Sequence, residues 1–153
     1  MSMIMIMHRE INEMYIEELA KKYIETFNSP PWNDKWTLSL AAKKLDEMIN
    51  CRGSFGLVCF DNENNMLGMI IGNSDTFYNC TYFFVKDYFI IPSHQGKGIG
   101  TALLNELENR LKIKGIGKIY LSTLRKEQTE GFYLKRGYES WNEMVMMGKT
   151  IDS

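Results

Sequence analysis

The sequence predicts a mixed α/β layer fold. Three observations carry that expectation. Residues 55–60, 66–72 and 81–91 are near-continuous apolar runs of strand length, rich in aromatic and aliphatic side chains. Other segments repeat apolar residues every four positions, as an amphipathic helix does. The two kinds follow one another as β-α-α-β-β-β-α-β-α-β, with no internal repeat, low-complexity stretch or linker.

Each element has a local cause. Residues 2–9 read as a first strand, with 3–7 buried. Asn12 can cap a helix whose apolar ladder is Tyr15, Leu19, Tyr23 and Phe27. Asn28-Ser29-Pro30-Pro31 stops it, because proline lacks the N–H that a helix continues through. Trp32-Asn33-Asp34-Lys35-Trp36 crosses to a second helix, capped by Thr37, with Leu38, Ala41, Leu45 and Met48 on one face. Residues 55–60 and 66–72 form a hairpin about the turn 61–65. Residues 73–79 read as a loop, and 81–91 as the central strand. The next helix carries Ile99, Leu103, Leu107 and Leu111, with Leu104 beside them, and Gly115 and Gly117 end it. Residues 119–123 read as an interior strand and 127–136 as a short helix closed by Gly137. Tyr138 and residues 141–149 supply the last strand or strands.

A chain of 153 residues with 44% hydrophobic and 24% charged residues fits one domain, 1–153, with a buried core. The net charge of −1 indicates no broad basic face, so nucleic acid is not an expected partner. The opening MSMIMIMHRE has no basic leader, too short an apolar stretch and no small-residue cleavage site for a secretory signal. No run approaches the roughly 20 apolar residues of a membrane span. Cys51, Cys59 and Cys80 are odd in number, widely spaced and without C-x-x-C, which argues against a disulfide framework or a metal site. The expectation is a cytoplasmic protein with buried thiols, no metal and no membrane partner.

Gln95-Gly96-Lys97-Gly98-Ile99-Gly100 follows an apolar strand and opens directly into a helix. Glycines turn the backbone sharply and present its N–H groups without a side chain in the way. A helix N-terminus adds unpaired donors and partial positive charge, which suits a phosphate or pyrophosphate. A Walker A loop requires Ser or Thr after the lysine, and Lys97 is followed by Gly98. A Rossmann fingerprint requires G-x-G-x-x-G after a first strand, and this loop has Gly96-x-Gly98-x-Gly100 after several elements. The pattern [QR]-x-x-G-x-[GA] is met at every fixed position. Ile90-x-Pro92 stands before it, and Phe132-Tyr133-Leu134-Lys135-Arg136-Gly137-Tyr138 follows downstream. On these motifs, in this order over nearly the whole chain, the sequence resembles the GNAT superfamily of acyl-CoA-dependent N-acyltransferases.

The resemblance implies a mostly antiparallel central sheet flanked by helices, with two central strands splayed apart. It implies acetyl-CoA as co-substrate, its pyrophosphate on the amides of Gly96, Lys97, Gly98, Ile99, Gly100 and Thr101. Gln95 stands where many members have Arg, which loses a charge that Lys97 compensates. Ile90 and Ile91 would line the pantetheine and thioester, with a backbone N–H near Ile90 polarising the carbonyl. Tyr133 matches the general acid that protonates the leaving thiolate. A phenol near 10 giving its proton to a thiol near 8.5 is uphill by about 1.5 units, roughly 2 kcal/mol. The alternative for Tyr133 is a hydrogen bond to the sulfur without proton transfer.

An amine near 10.4 is protonated at neutral pH, and freeing it costs about 4.6 kcal/mol. Asp87, three residues before Ile90, is the best-placed carboxylate to orient the ammonium or a water that carries the proton off. Alternatively it is a strand-end carboxylate paired with Lys86 or another cation. His94 reads as structural. Lys126 stands where many members have an Asn that contacts the pantetheine arm. Trp32, Asp34 and Trp36 form the expected acceptor segment, holding a cation by ring face and charge or packing the helix junction. Asp75, Tyr78 and Tyr82 would add to that pocket.

The leading expectation is direct transfer of acetyl from acetyl-CoA to a primary amine in a ternary complex, the acceptor being a small-molecule amine. The alternatives are protein lysine or N-terminal acetylation and a non-catalytic acyl-CoA sensor. Family members also dimerise through edge or C-terminal strands. The apolar run Met144-Val145-Met146-Met147 would serve a homodimer or fill the core.

Overall fold

The structure is a computed structural model that describes residues 5–152. The chain divides into two compact units, Met1–Leu121 and Ser122–Ser153.

The first unit is built on a five-stranded sheet. Its strands, β1 (Met7–Glu10), β2 (Ser54–Phe60), β3 (Met66–Thr76), β4 (Thr81–Ile90) and β5 (Lys118–Tyr120), lie side by side in chain order. The first four pair antiparallel, and β4 pairs parallel with β5. Helices α1 (Ile16–Phe27) and α2 (Leu38–Ile49) precede β2. Helix α3 (Ile99–Ile113) is the crossover that a parallel β4–β5 pair requires.

Burial explains the strand sequences. Every residue from Met66 to Gly72 is buried, so β3 reads as continuous rather than alternating hydrophobicity. Leu19, Leu45, Leu57, Met69, Ile71, Phe83, Leu103, Leu104 and Leu107 are fully buried and join helices to sheet. Each contributes about 1.5–3 kcal/mol relative to exposure. A Cβ at Gly72 would lie 1.9 Å from the Phe84 carbonyl oxygen, so only glycine lets β3 and β4 approach there.

Several expected boundaries move. The first strand is Met7–Glu10 and mostly exposed, and the expected positions 2–4 lie outside the described residues. The Asn12 side chain accepts from Met14 N–H at 2.8 Å, capping a short 3₁₀ turn, Glu13–Tyr15, that leads into α1. Thr37 caps α2 as expected, its hydroxyl accepting from Leu40 N–H at 3.1 Å. Residues 73–76 continue β3 instead of forming a loop, because Asn73, Ser74, Asp75 and Thr76 pair with Phe84, Phe83, Tyr82 and Thr81. Backbone pairing overrides their turn-prone composition. The strand expected over 119–123 is only Lys118–Tyr120.

The second unit holds α4, Glu130–Leu134, shorter than the 127–136 expected. Gly137 adopts φ 88° just past it, the left-handed cap that glycine supplies. No strand forms over 138–149 among the described residues. Met144, Val145, Met146 and Met147 are exposed and do not fill the core.

Candidate active site

The site begins with a break in the β3–β4 register. Ile71 pairs with Asp87 and Gly72 with Val85, so Lys86 is an extra residue, a β-bulge. Alternation would send Lys86 and Asp87 to opposite faces. The bulge instead brings both toward the α2 end of one face. Lys86 Nζ reaches Cys51, just past α2, and Asp87 reaches Lys44 on α2 and Tyr23 on α1. Beyond the bulge alternation resumes. Phe89 packs on Tyr23 and Phe27 of α1, while Tyr88 hydrogen-bonds the Gly100 carbonyl of α3 through its hydroxyl.

The β4–β5 pairing ends early. It covers only Tyr82, Phe83 and Phe84, against Lys118, Ile119 and Tyr120. The far half of β4 therefore runs on without β5 beside it, which is the expected separation of the central strands. Ile91 N–H donates to Leu67 O on β3 at 2.8 Å. Backbone groups alternate edges along a strand, so Ile90 turns its N–H and C=O to the edge away from β3. Gln95 Nε2 donates to that Ile90 carbonyl at 2.9 Å, which fixes the same direction independently. Gln95 thus braces the loop onto β4.

A 3₁₀ turn, Pro92–His94, leads from β4 to the glycine loop. Gly96 and Gly98 have φ 76° and 81°, and no atom lies within 4 Å of where their Cβ would be. Their requirement is conformational, and the space beside them is open. Gly98 is the N-cap of α3, so the helix starts without a side-chain cap. The N–H groups of its first turn, from Ile99 through Thr101, precede the first helical bond, Ala102 N–H to Gly98 O at 3.1 Å. Lys97 is exposed on the loop. Ser93 Oγ lies 2.9 Å from His94 Nδ1. Main-chain donors at an uncapped helix start of this kind can hold an anion.

Asp87 is the centre of a cluster. Tyr23 donates its hydroxyl proton to Asp87 Oδ2 at 2.8 Å, and Lys44 Nζ lies 4.0 Å from the same oxygen. Burial raises the Asp87 pKa above its ordinary value, opposed by the Tyr23 hydrogen bond, Lys44 and the Tyr88 N–H. Burial, and then Asp87 itself, push the Tyr23 phenol far upward, so Tyr23 stays a donor. The cation beside Asp87 is therefore Lys44, not Lys86.

The acceptor segment divides. Trp36 joins the cluster: its ring meets Tyr23 edge-on at 5.2 Å, and its Nε1–H donates to Asp34 Oδ2 at 3.1 Å. Lys44 Nζ stands over the Trp36 ring at 5.4 Å, so the chain's own lysine takes the cation place expected for a ligand. Asn28 fixes Trp36 by two hydrogen bonds, 2.8 and 2.9 Å, to its N–H and C=O. Trp32 packs instead on Phe27, its ring 6.0 Å from the Phe27 ring. Tyr82 packs on Phe77 at 4.2 Å and Tyr120 at 6.0 Å, with Lys118 over its ring at 5.3 Å. Asp75 hydrogen-bonds Tyr120, whereas Tyr78 is wholly exposed.

In the second unit, Tyr133 lies on α4 between two rings, Phe132 at 5.1 Å and Tyr138 at 5.4 Å. Tyr138 N–H donates to Tyr133 O at 3.1 Å, closing the turn through Gly137. Burial raises the Tyr133 phenol to about 12. Arg136 stacks over Phe132 at 3.7 Å.

Tyr23 and Lys44 were invisible as site residues in the sequence. Each sits on a helix at an ordinary position, and only the fold brings them to Asp87, 64 residues from Tyr23. Among the described residues there is no group of three or more His, Cys, Asp or Glu that could hold a metal, and no helix long and apolar enough to cross a membrane.

Known proteins share this architecture. A model of the acetyltransferase (GNAT) family matches residues 13–138. GCN5-related N-acetyltransferase 2, chloroplastic, of Arabidopsis thaliana is 33% identical over 78 residues, which are 51% of this chain and 28% of that protein. The chain therefore matches less than a third of that relative's length. A structure described as a possible acetyltransferase from Clostridium difficile 630 superposes with TM-score 0.79 at 13% identity, covering 96% of this chain and 99% of the other. Aminoglycoside N-acetyltransferase AAC(6')-Iy in complex with CoA superposes with TM-score 0.72 at 13% identity, covering 98% of each chain. At such identities the structures speak for the fold, and the family model speaks for the sequence. With its glycine loop, bulged β4 and match over residues 13–138, the chain belongs to the GNAT family of acetyltransferases.

Proposed function

We propose that the chain, acting as one catalytic domain, transfers an acetyl group from acetyl-CoA to a small-molecule primary amine by direct attack in a ternary complex. The observation that carries this reading is the juxtaposition on β4. Ile90 turns its N–H to the edge beside the glycine loop, and Asp87 lies three residues earlier, directly after the bulge, half-buried against α1 and α2.

Acetyl-CoA supplies an activated thioester. The first-turn amides of α3 and the loop from Gly96 to Thr101 hold its pyrophosphate, with Lys97 adding charge. Gln95 holds the loop against Ile90. The Ile90 N–H donates to the thioester carbonyl oxygen, where negative charge develops, and Ile91 packs against the arm. Asp87, raised by burial, orients the acceptor ammonium and accepts or relays its proton. Tyr133 donates a proton to the departing thiolate. Its own pKa near 12 widens the gap to an aqueous thiol, and any desolvation of the leaving thiolate narrows it again. The acceptor lies against Trp36 and Asp34, with Tyr82 and Trp32 at the margins of its pocket. A small amine fits the short acceptor segment of two tryptophans and Asp34 better than an extended peptide does.

Thermal unfolding with acetyl-CoA, NAD or ATP tests the ligand. At about 100 times its Kd, a bound ligand adds roughly 2.7 kcal/mol, a shift of several degrees. Stabilisation by acetyl-CoA alone, followed by thiol release with a panel of amines, is the expected result. Stabilisation only by NAD or ATP overturns the reading.

A further inference from the structure

The same bulge that aims Asp87 also brings together two nucleophiles that the acetyl transfer does not use. Lys86 Nζ lies 3.5 Å from Cys51 Sγ. Lys86 is exposed on β4 and Cys51 half-buried just past α2. Both line an open cleft of about 400 Å³, with Lys44, Glu47, Met48 and Phe84. The thiol is held in place by donating to the Arg52 carbonyl at 3.6 Å.

We propose that Cys51 and Lys86 form a self-acylation site, in which Cys51 takes an acyl group from an acyl-CoA thioester and passes it to Lys86. In the first step the Cys51 thiolate, its proton lost to solvent, attacks the thioester carbonyl. A new C–S bond forms to Cys51, the C–S bond to CoA breaks, and the CoA thiolate leaves and takes up a proton. In the second step the neutral Lys86 amine attacks the carbonyl carbon now on Sγ. The C–N bond forms, the Cys51 C–S bond breaks, and the amine sheds its surplus proton to solvent. Cys51 is regenerated, and the net change is an amide on Lys86 and free CoA. No oxidant or reductant is needed.

Geometry is what favours this route over direct reaction of a lysine. An acyl carbon on Sγ is one bond from a sulfur that already lies 3.5 Å from the amine. The reacting pair is the amine nitrogen and that carbon, and rotation about the Cys51 side-chain bonds brings the carbon within reach of the amine; such intramolecular placement gives very large effective concentrations. Cys59 and Lys44 are differently engaged. Cys59 is fully buried and its thiol is raised to about 12 by burial. Lys44, which lines the same cleft, faces Asp87 and the Trp36 ring. Acylation replaces one of the cleft's two lysine charges with a neutral amide beside Phe84 and Met48. The step draws its donor from solution and uses none of the groups assigned to acetyl transfer, so it stands apart from that reading.

The test is peptide mass spectrometry after incubation with acetyl-CoA, with Lys35 and Lys43 as exposed internal controls. Lys86 should acquire acetyl about tenfold faster than the controls, as expected for a proximity effect. Cys51→Ala should bring Lys86 down to their level, and Lys86→Arg should leave a hydroxylamine-sensitive acetyl on Cys51. Wild-type protein with Cys51 blocked by iodoacetamide repeats the comparison without depending on the fold of a variant. An amine-reactive acetyl ester, which needs no thiol, normalises for access to Lys86. Lys86 labelling by acetyl-CoA that is unchanged, after this normalisation, when Cys51 is removed or blocked overturns the proposal.

Discussion

Tyr23 donates a 2.8 Å hydrogen bond to Asp87 Oδ2, tying α1 to β4. The two residues shift each other's titration in opposite senses. The tyrosine hydrogen bond lowers Asp87, and the carboxylate raises Tyr23. The pair therefore stays in one protonation state, phenol donor and carboxylate acceptor, over the range where Asp87 is ionised. Removing the hydroxyl in Tyr23→Phe keeps the ring contacts with Phe27, Trp36 and Phe89. It leaves a half-buried carboxylate short of a donor, at a cost of about 1.5–3 kcal/mol. Chemical denaturation should show that loss at neutral pH. It should shrink in acid, where a protonated Asp87 needs the donor less.

Asp87→Asn tests whether burial dominates the Asp87 carboxyl. The folded-state pKa of Asp87 lies above its ordinary value of 3.8, because burial outweighs its partners. The folded protein then holds the proton more tightly than the unfolded chain. Its contribution to stability is fully present below about 3.8 and is lost as pH rises through the raised value. The stability of wild type relative to Asp87→Asn should therefore fall as pH rises from acid toward neutrality. Denaturation curves of both proteins across that range check the sign. A gap that widens with pH would show that Tyr23 and Lys44 outweigh burial.

For Tyr133→Phe, kcat should fall about 10²–10⁴-fold, the scale of lost proton transfer, while acetyl-CoA affinity changes less than about threefold. With its phenol near 12, Tyr133 remains protonated at every accessible assay pH. Wild-type kcat should consequently show no alkaline decline from this group below about pH 11. Equal loss of kcat and of acetyl-CoA binding would instead make Tyr133 a packing residue.

Lys44 occupies the place where an acceptor ammonium would meet Trp36 and Asp87. Its side chain is 42% exposed, so its pairing with Asp87 contributes at most about 1 kcal/mol to stability. Lys44→Met should be nearly neutral in thermal unfolding. It should lower KM for a polyamine by about tenfold, the scale of one ion pair of about 1.4 kcal/mol, and change KM for a monoamine less. Steady-state kinetics on a matched monoamine and diamine pair decides it. An equal effect on both would mean that Lys44 does not select by charge.

The sequence exposed the groups whose roles depend on the main chain. The glycine loop, the caps at Asn12 and Thr37, and the ladder from Leu103 to Leu111 are local patterns, and each was placed within a few residues. Asp87 is legible as a neighbour of Ile90 because strand position alone puts it there. Its partners are not, because a bulge at Lys86 decides which face it points to, and no residue type marks a bulge there. Asn73 to Thr76 was misread for a related reason. Their pairing with β4 is non-local and outweighs turn propensity. The same holds for Trp36, whose cation turned out to be Lys44, and for 141–149, whose apolar residues carry β propensity without forming a strand.

Gly98→Ala isolates the loop's conformation from its packing. Gly98 has φ 81° and nothing within 4 Å of a new Cβ, so alanine meets strain and no collision. A non-glycine residue in the left-handed region costs about 1–2 kcal/mol. The chain can relieve this by giving up the turn, because Gly98 caps α3 without any side-chain bond to hold it. Relief of that kind would swing the first-turn N–H groups away from a common centre. Gly98→Ala should therefore lower Tm by several degrees in the absence of ligand and also reduce the extra stabilisation by acetyl-CoA. Gly100→Ala makes the contrast. Its Cβ would lie 3.1 Å from the Tyr88 hydroxyl, a contact the ring can yield, and no left-handed angle is involved. Melting curves with and without acetyl-CoA should show Gly98→Ala losing more ligand stabilisation than Gly100→Ala. The reverse order would move the anion-holding donors from the Gly98 turn to the α3 face that meets Tyr88.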